Sequence, residues 1–76
     1  MRKSEAIQAV VAEHDVAITQ FQPFRSPHEG IAIILEEYEE LKAEVFKKFE
    51  ERDIGRMNKE AKHVAAMALR FMIDLT

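Results

Sequence analysis

The sequence contains no cysteine and no tryptophan, and only two glycines and two prolines among its 76 residues. Without cysteine the chain can form neither a disulfide framework nor a thiolate metal site. No apolar run approaches the roughly 20 residues that a membrane-spanning helix needs. The N-terminal Met1-Arg2-Lys3 is followed by Glu5 and mixed polarity rather than by the apolar core of a signal peptide. We therefore expect a cytoplasmic protein with no membrane partner.

Acidic side chains outnumber basic ones by 14 to 11, which gives a net charge of -3. Nucleic-acid-binding domains usually carry a basic surface, so no nucleic-acid partner is expected. The length of 76 residues predicts a single domain, 1–76, that buries too little surface to be comfortably stable alone. Because no disulfide can compensate, oligomerisation is the expected means of stabilisation.

Hydrophobic spacing predicts an all-α fold with three helices, over about 4–19, 27–52 and 57–75. Pro23 ends the first helix, since proline cannot continue it. Ser26 as N-cap, Pro27 in the first turn and Glu29 at the capping-box position predict the start of the second. Gly55 is expected to separate the second helix from the third.

Each helix has an apolar stripe that should form the core. The stripes are Ile7, Val10, Val11, His14, Ile18 and Phe21; Ile31, Ile34, Tyr38, Leu41, Val45 and Phe49; and Met57, Ala61, Val64, Ala68, Phe71 and Leu75. The third helix also carries Ala66, Leu69 and Ile73 on its far face. A helix that is apolar on two sides is typically buried on both, so we expect the far face to contact another subunit.

Carboxylates are concentrated on the second helix and continue on the third. Glu37, Glu40 and Glu44 fall on one flank of the second stripe, whereas Glu36 and Glu39 point to the opposite side. Glu60 lies within the apolar stripe of the third helix, where a carboxylate needs a partner. His63 follows one turn later, so Glu60 and His63 could share an ion. Solvated glutamates paired with lysines at i,i+4 would also explain the pattern on the second helix.

The arrangement Glu36-Glu37-x-x-Glu40 on one long helix, followed by Glu60 on an alanine-rich helix, resembles the E-E-x-x-E and E-x-x-D motifs of the MazG-like all-α nucleoside triphosphate pyrophosphohydrolases. The resemblance covers roughly Ser26 to Asp74. It implies that the second and third helices form a four-helix bundle with a symmetry-related chain, in a homodimer or homotetramer. It also implies hydrolysis of a nucleoside triphosphate to a nucleoside monophosphate and pyrophosphate.

The same resemblance implies roles for individual residues. Glu37, Glu40 and Glu60 would hold Mg²⁺ or Mn²⁺, and Glu36 would orient or activate the attacking water. His63 stands where the family has an aspartate and would be the remaining ligand. Imidazole is a poorer ligand for Mg²⁺ than a carboxylate oxygen, so weakened activity is expected. Apart from the resemblance, Arg70 is a candidate for contact with the substrate phosphates, and an ion pair with a nearby carboxylate is the favoured alternative for this residue.

Two other functions fit the sequence. Glu60-x-x-His63 together with Glu37, duplicated by a two-fold axis, is the ligand set of di-iron carboxylate bundles, which makes a ferritin-like iron oxidase an alternative. A metal-free helical oligomerisation module would account for the apolar helices and the solvated glutamates without any chemistry.

Overall fold

The computed structural model describes residues 1–76 and is all-helical, with three α-helices and no strand. Helix α1 spans Lys3–Gln20, α2 spans Pro27–Val45 and α3 spans Ile54–Leu75. A single 3₁₀ turn, Phe49–Glu51, lies between α2 and α3. None of these helices combines the length and the apolar character that crossing a membrane would require.

Helix α3 is the centre of the molecule, because it packs against both α1 and α2 while those two do not pack against each other. Helix α2 runs antiparallel to α3, since Gly30 lies against Phe71 and Glu37 lies near Glu60. Helix α1 runs parallel to α3, and the connection from its end crosses over the last turns of α3. The two outer helices therefore leave a cleft between them above one face of α3.

The predicted helix starts are explained by their caps. The Ser26 hydroxyl accepts a hydrogen bond of 3.1 Å from the Glu29 N–H at the start of α2, as the sequence predicts. Helix α3 begins at Ile54, three residues before the expected start at 57. The reason is Asp53, whose carboxylate accepts a hydrogen bond of 3.0 Å from the Arg56 N–H and so caps the helix earlier.

The predicted end of α2 at 52 is wrong, because the helix stops at Val45. Phe46 and Phe49 are 74% and 84% exposed, so the residues after Val45 have no surface to pack against. Helices of this size depend on packing of an apolar face rather than on intrinsic propensity. The 3₁₀ turn, Phe49–Glu51, instead reverses the chain into α3.

The core is small and lies along the contact lines of α3. Ala17, Phe24, Ala66 and Met67 are buried together. Several expected core positions are exposed instead, namely Ile7, Val11, Ile18, Phe21, Ile31, Tyr38, Phe49, Ala61 and Ala68. Ala66, expected between subunits, is 0% exposed within the single chain. The helices meet through small residues such as Ala17, Gly30 and Ala66, so their contact lines are rotated away from the largest apolar side chains.

One end of the cleft is closed by the connection between α1 and α2. The Phe24 N–H donates a hydrogen bond of 2.9 Å to Asp74, and the Phe24 ring lies 4.0 Å from the Arg70 guanidinium carbon. Arg70 also pairs with Asp74 at 3.4 Å and donates to the backbone oxygen of Gln22. Its guanidinium is therefore engaged three times within the chain, and a buried charge needs such partners.

Candidate metal centre

The four predicted metal ligands meet between α2 and α3. Glu37 and Glu40 lie one turn apart on α2, and Glu60 and His63 lie one turn apart on α3. One ligand atom from each of the four side chains lies within 4.8 Å of the others. Ligands on opposite sides of a divalent cation are separated by about twice a bond length of roughly 2.0–2.4 Å. The four side chains are therefore close enough to surround one ion.

The two most buried carboxylates of this cluster lack hydrogen-bond donors. The side chains of Glu37 and Glu60 are 23% and 16% exposed, and the Oε2 atom of each is buried without a hydrogen-bond partner. The His63 Nδ1 atom lies 3.5 Å from both oxygens, beyond ordinary hydrogen-bond distance. Buried polar atoms are normally paired, and an unpaired carboxylate oxygen is costly. The chain alone thus leaves two anionic oxygens facing a space that a cation would satisfy.

The electrostatics of Glu37 are consistent with this geometry. Burial raises the pKa of Glu37 above its ordinary value of 4.5, mainly through desolvation of the charged form. The negative charges of Glu40 and Glu60 raise the pKa further, whereas His63 lowers it. A bound divalent cation would instead lower the pKa of Glu37, since it is the largest charge such a site can contain.

Helix α1 contributes Glu13, a residue that the sequence analysis missed. Its Oε1 atom lies 3.3 Å from His63 Nε2 and 3.5 Å from Lys62 Nζ. Nothing in the local sequence marks Glu13, because it approaches His63 only after α1 has packed against α3.

The cluster opens into the cleft between α1 and α2, which has a volume of about 250 Å³. Glu13, Glu36, Glu37 and His63 line one part of the cleft. The remainder of the wall is formed by Val16, Ala17, Gln20, Phe21, Ile33, Met67 and Arg70. Glu36 is exposed and lies outside the four-ligand cluster, but it faces the same cleft. Arg70 reaches this wall with its guanidinium already paired to Asp74 and Gln22.

Comparison of the chain with protein-family models, with curated proteins and with solved structures finds no match.

Proposed function

We propose that the chain is a metal-dependent nucleoside triphosphate pyrophosphohydrolase of the MazG-like type. The observation that carries the proposal is the convergence of Glu37, Glu40, Glu60 and His63 within 4.8 Å. Two of these carboxylates have a buried oxygen without a hydrogen-bond partner, which is the condition in which a protein site favours a cation. Family resemblance supplies the reaction, and the cluster supplies a reason to expect the metal.

Each residue of the cluster has a distinct part in this proposal. Glu37, Glu40 and Glu60 would supply oxygen ligands, and His63 a nitrogen ligand. The chemistry that a divalent ion would supply there is neutralisation of charge on the triphosphate and a lowered pKa for a bound water. Glu36 faces the cleft without belonging to the ligand set, so it is free to orient the attacking water. Water attacks the α-phosphorus, the bond to the bridging oxygen breaks, and pyrophosphate leaves.

The cleft gives the nucleoside a place beside the metal. Its apolar wall and the ring of Phe21, which is 60% exposed, offer a surface on which a base could stack. We do not assign Arg70 to the phosphates, because its guanidinium already pairs with Asp74, donates to Gln22 and stacks on Phe24.

A homodimer is part of the proposal, and homotetramers would be built from it. Helix α3 exposes Ala61, Ala68 and Met72 on the face opposite His63 and Arg70. Helix α2 exposes Ile31, Leu35 and Tyr38, each about half accessible to solvent. Covering these side chains with α2 and α3 of a second copy would form the four-helix bundle that the resemblance implies.

A ferritin-like iron centre is the second candidate, and the observation that favours it is the presence of His63 in the ligand set. A di-iron centre would require the cluster of a second chain within about 4 Å. The apolar face of α3 lies on the opposite side of the helix from the cluster, so a dimer formed through that face keeps the two clusters apart. The geometry therefore favours one ion per chain over a shared di-iron site.

The test combines metal analysis of the purified protein with pyrophosphate release from a panel of nucleoside triphosphates, assayed with Mg²⁺ and with Mn²⁺. Activity should appear with at least one nucleotide and fall at least 100-fold in Glu60→Gln, which removes one ligand charge while preserving shape. Glu39→Gln is the matched control, because Glu39 is an exposed glutamate of α2 outside the cluster. Absence of pyrophosphate release with every nucleotide and metal would overturn the proposal, and bound iron with peroxide-forming or oxidase activity would favour the second candidate.

A further inference from the structure

His63 is held between two sets of carboxylates that come from different helices. Its Nε2 atom faces Glu13 of α1 at 3.3 Å. Its Nδ1 atom faces Glu37 of α2 and Glu60 of α3, at 3.5 Å each. The imidazole therefore connects α1 to the cluster, although α1 itself contributes none of the four ligand side chains.

The closer approach of Glu13 to Nε2 favours Nδ1 as the ring nitrogen that binds a metal. A neutral imidazole has one N–H donor and one lone pair, and the partner of one nitrogen determines the role of the other. If Nε2–H donates to Glu13, the lone pair of Nδ1 points toward Glu37 and Glu60. Metal-binding histidines usually donate their second N–H to a carboxylate or carbonyl, which fixes the ring orientation and raises its basicity.

We propose that Glu13 is the positioning residue of a carboxylate–histidine–metal arrangement, and that the centre consequently prefers a first-row transition ion over Mg²⁺. This inference rests on the proposed metal centre, whose ion it specifies. Imidazole nitrogen suits ions such as Fe²⁺, Co²⁺ and Zn²⁺, whereas Mg²⁺ prefers oxygen ligands. An aspartate at position 63 would have no nitrogen to orient, so Glu13 acquires this role only because His63 is present.

The simpler explanation of Glu13 is an ion pair with Lys62, and the structure offers a way to separate the two roles. Lys62 Nζ and His63 Nε2 both approach the same oxygen, Glu13 Oε1. Lys62 is 32% exposed and lies outside the ligand cluster. Replacing Lys62 removes the ion pair and leaves the contact between Glu13 and His63 in place.

The experiment measures binding of Co²⁺ and Mg²⁺ to the full chain by calorimetry and records the visible absorption of bound Co²⁺. In Glu13→Ala, Co²⁺ affinity should fall by about 10–100-fold, the usual effect of removing an outer carboxylate. Mg²⁺ affinity should change by less than about threefold, because the oxygen ligands remain. The Co²⁺ spectrum should shift toward that of His63→Ala, whereas Lys62→Met should keep both the wild-type spectrum and the preference for Co²⁺.

The outcomes separate this inference from the proposed function. Equal losses of Co²⁺ and Mg²⁺ affinity in Glu13→Ala, or an unchanged Co²⁺ spectrum, would overturn the positioning role while leaving the metal centre intact. Failure of the wild-type chain to bind either ion would overturn the metal centre itself. Selective loss of Co²⁺ without pyrophosphate release from any nucleotide would support Glu13 and contradict the pyrophosphohydrolase.

Discussion

Glu37 is the residue at which the candidate metal centre and the stability of the fold are coupled. Its folded-state pKa is raised, mainly by burial and by Glu40. Between the ordinary and the raised pKa, the folded chain binds more protons than the unfolded chain. The stability that Glu37 contributes therefore falls as pH rises through this window.

Because ionised Glu37 destabilises the folded chain, the effect of Glu37→Gln can be predicted. In the metal-free protein at neutral pH the substitution should raise the melting temperature by a few degrees, because it removes a desolvated charge from among other carboxylates. The gain should shrink as the pH is lowered through the Glu37 pKa, since the wild-type carboxyl is then protonated as well. With a saturating divalent ion the order should reverse, because binding stabilises the wild type by about 2.7 kcal/mol at a concentration 100 times the dissociation constant.

Thermal melts of both proteins, with and without metal and across pH, measure this effect. Glu39→Gln provides the control for a general loss of negative charge, since Glu39 lies on the same helix but is exposed. An equal stabilisation by Glu39→Gln would contradict a specific role for the cluster, as would an order of stabilities that metal does not change.

At the scale of the helices, Gly30 is a position where α2 lies close against the Phe71 ring of α3. A Cβ atom built on Gly30 would lie 2.6 Å from Cδ2 of Phe71 and 3.3 Å from a ring atom of Phe24. Two opposing effects therefore act on Gly30→Ala. Helix propensity favours alanine by about 1 kcal/mol, whereas forcing an extra carbon into a packed contact typically costs about 1–3 kcal/mol.

We predict that the packing cost exceeds the propensity gain, so Gly30→Ala should lower the free energy of unfolding by about 1 kcal/mol, or about 4–8 °C in melting temperature. The measurement is chemical or thermal unfolding. Ala32→Gly calibrates the propensity alone, because Ala32 is exposed two residues further along α2. The prediction would be contradicted if Gly30→Ala raised the free energy of unfolding by as much as Ala32→Gly lowers it. Phe71 would then have to move away from the new methyl group without cost.

Some features of the helices and of the ligand cluster could be predicted from the sequence, and others could not. Local chemistry determines the starts of helices, so Ser26, Pro27 and Glu29 predicted the start of α2 correctly. The resemblance of the glutamate motifs selected Glu37, Glu40 and Glu60, and the three-residue spacing from Glu60 added His63; one ligand atom of each lies within 4.8 Å of the others. The end of α2 could not be predicted, because it depends on where α3 ceases to offer a packing surface.

The core residues and Glu13 required the tertiary structure. Helical wheels select the largest apolar side chains, but α1 and α3 approach through Ala17 and Ala66, which rotates the contact line and leaves Ile7 and Val11 exposed. The same rotation brings Glu13 to His63. No pattern within α1 encodes that contact, because it depends on the relative orientation of two helices far apart in the chain.

For the whole molecule, the exposed surface area bears on the proposed dimer. The chain exposes 5748 Å², whereas a compact folded monomer of 8.8 kDa is expected to expose about 4,800 Å². The molecule measures 40 × 27 × 19 Å, and only seven of its 76 residues are buried. The excess of roughly 1,000 Å² is comparable with the ~800 Å² that each partner contributes to a standard interface.

The exposed apolar side chains of α3 predict which substitutions should dissociate a dimer. Met72 and Ile73 near the end of α3 are 64% and 57% exposed, so replacing either by glutamate should change the stability of an isolated chain by no more than about 0.5 kcal/mol. Within an interface the same glutamate would be an unpaired, desolvated charge. Met72→Glu and Ile73→Glu should therefore convert the proposed dimer to monomers at micromolar concentration, as measured by light scattering. Phe49→Glu, at an 84% exposed position in the 3₁₀ turn, should leave the mass unchanged. A monomeric wild type would refute the dimer. Dimers that persist in both α3 variants would locate the interface elsewhere. The next surface to substitute would then be that of α2, where Ile31, Leu35 and Tyr38 are exposed.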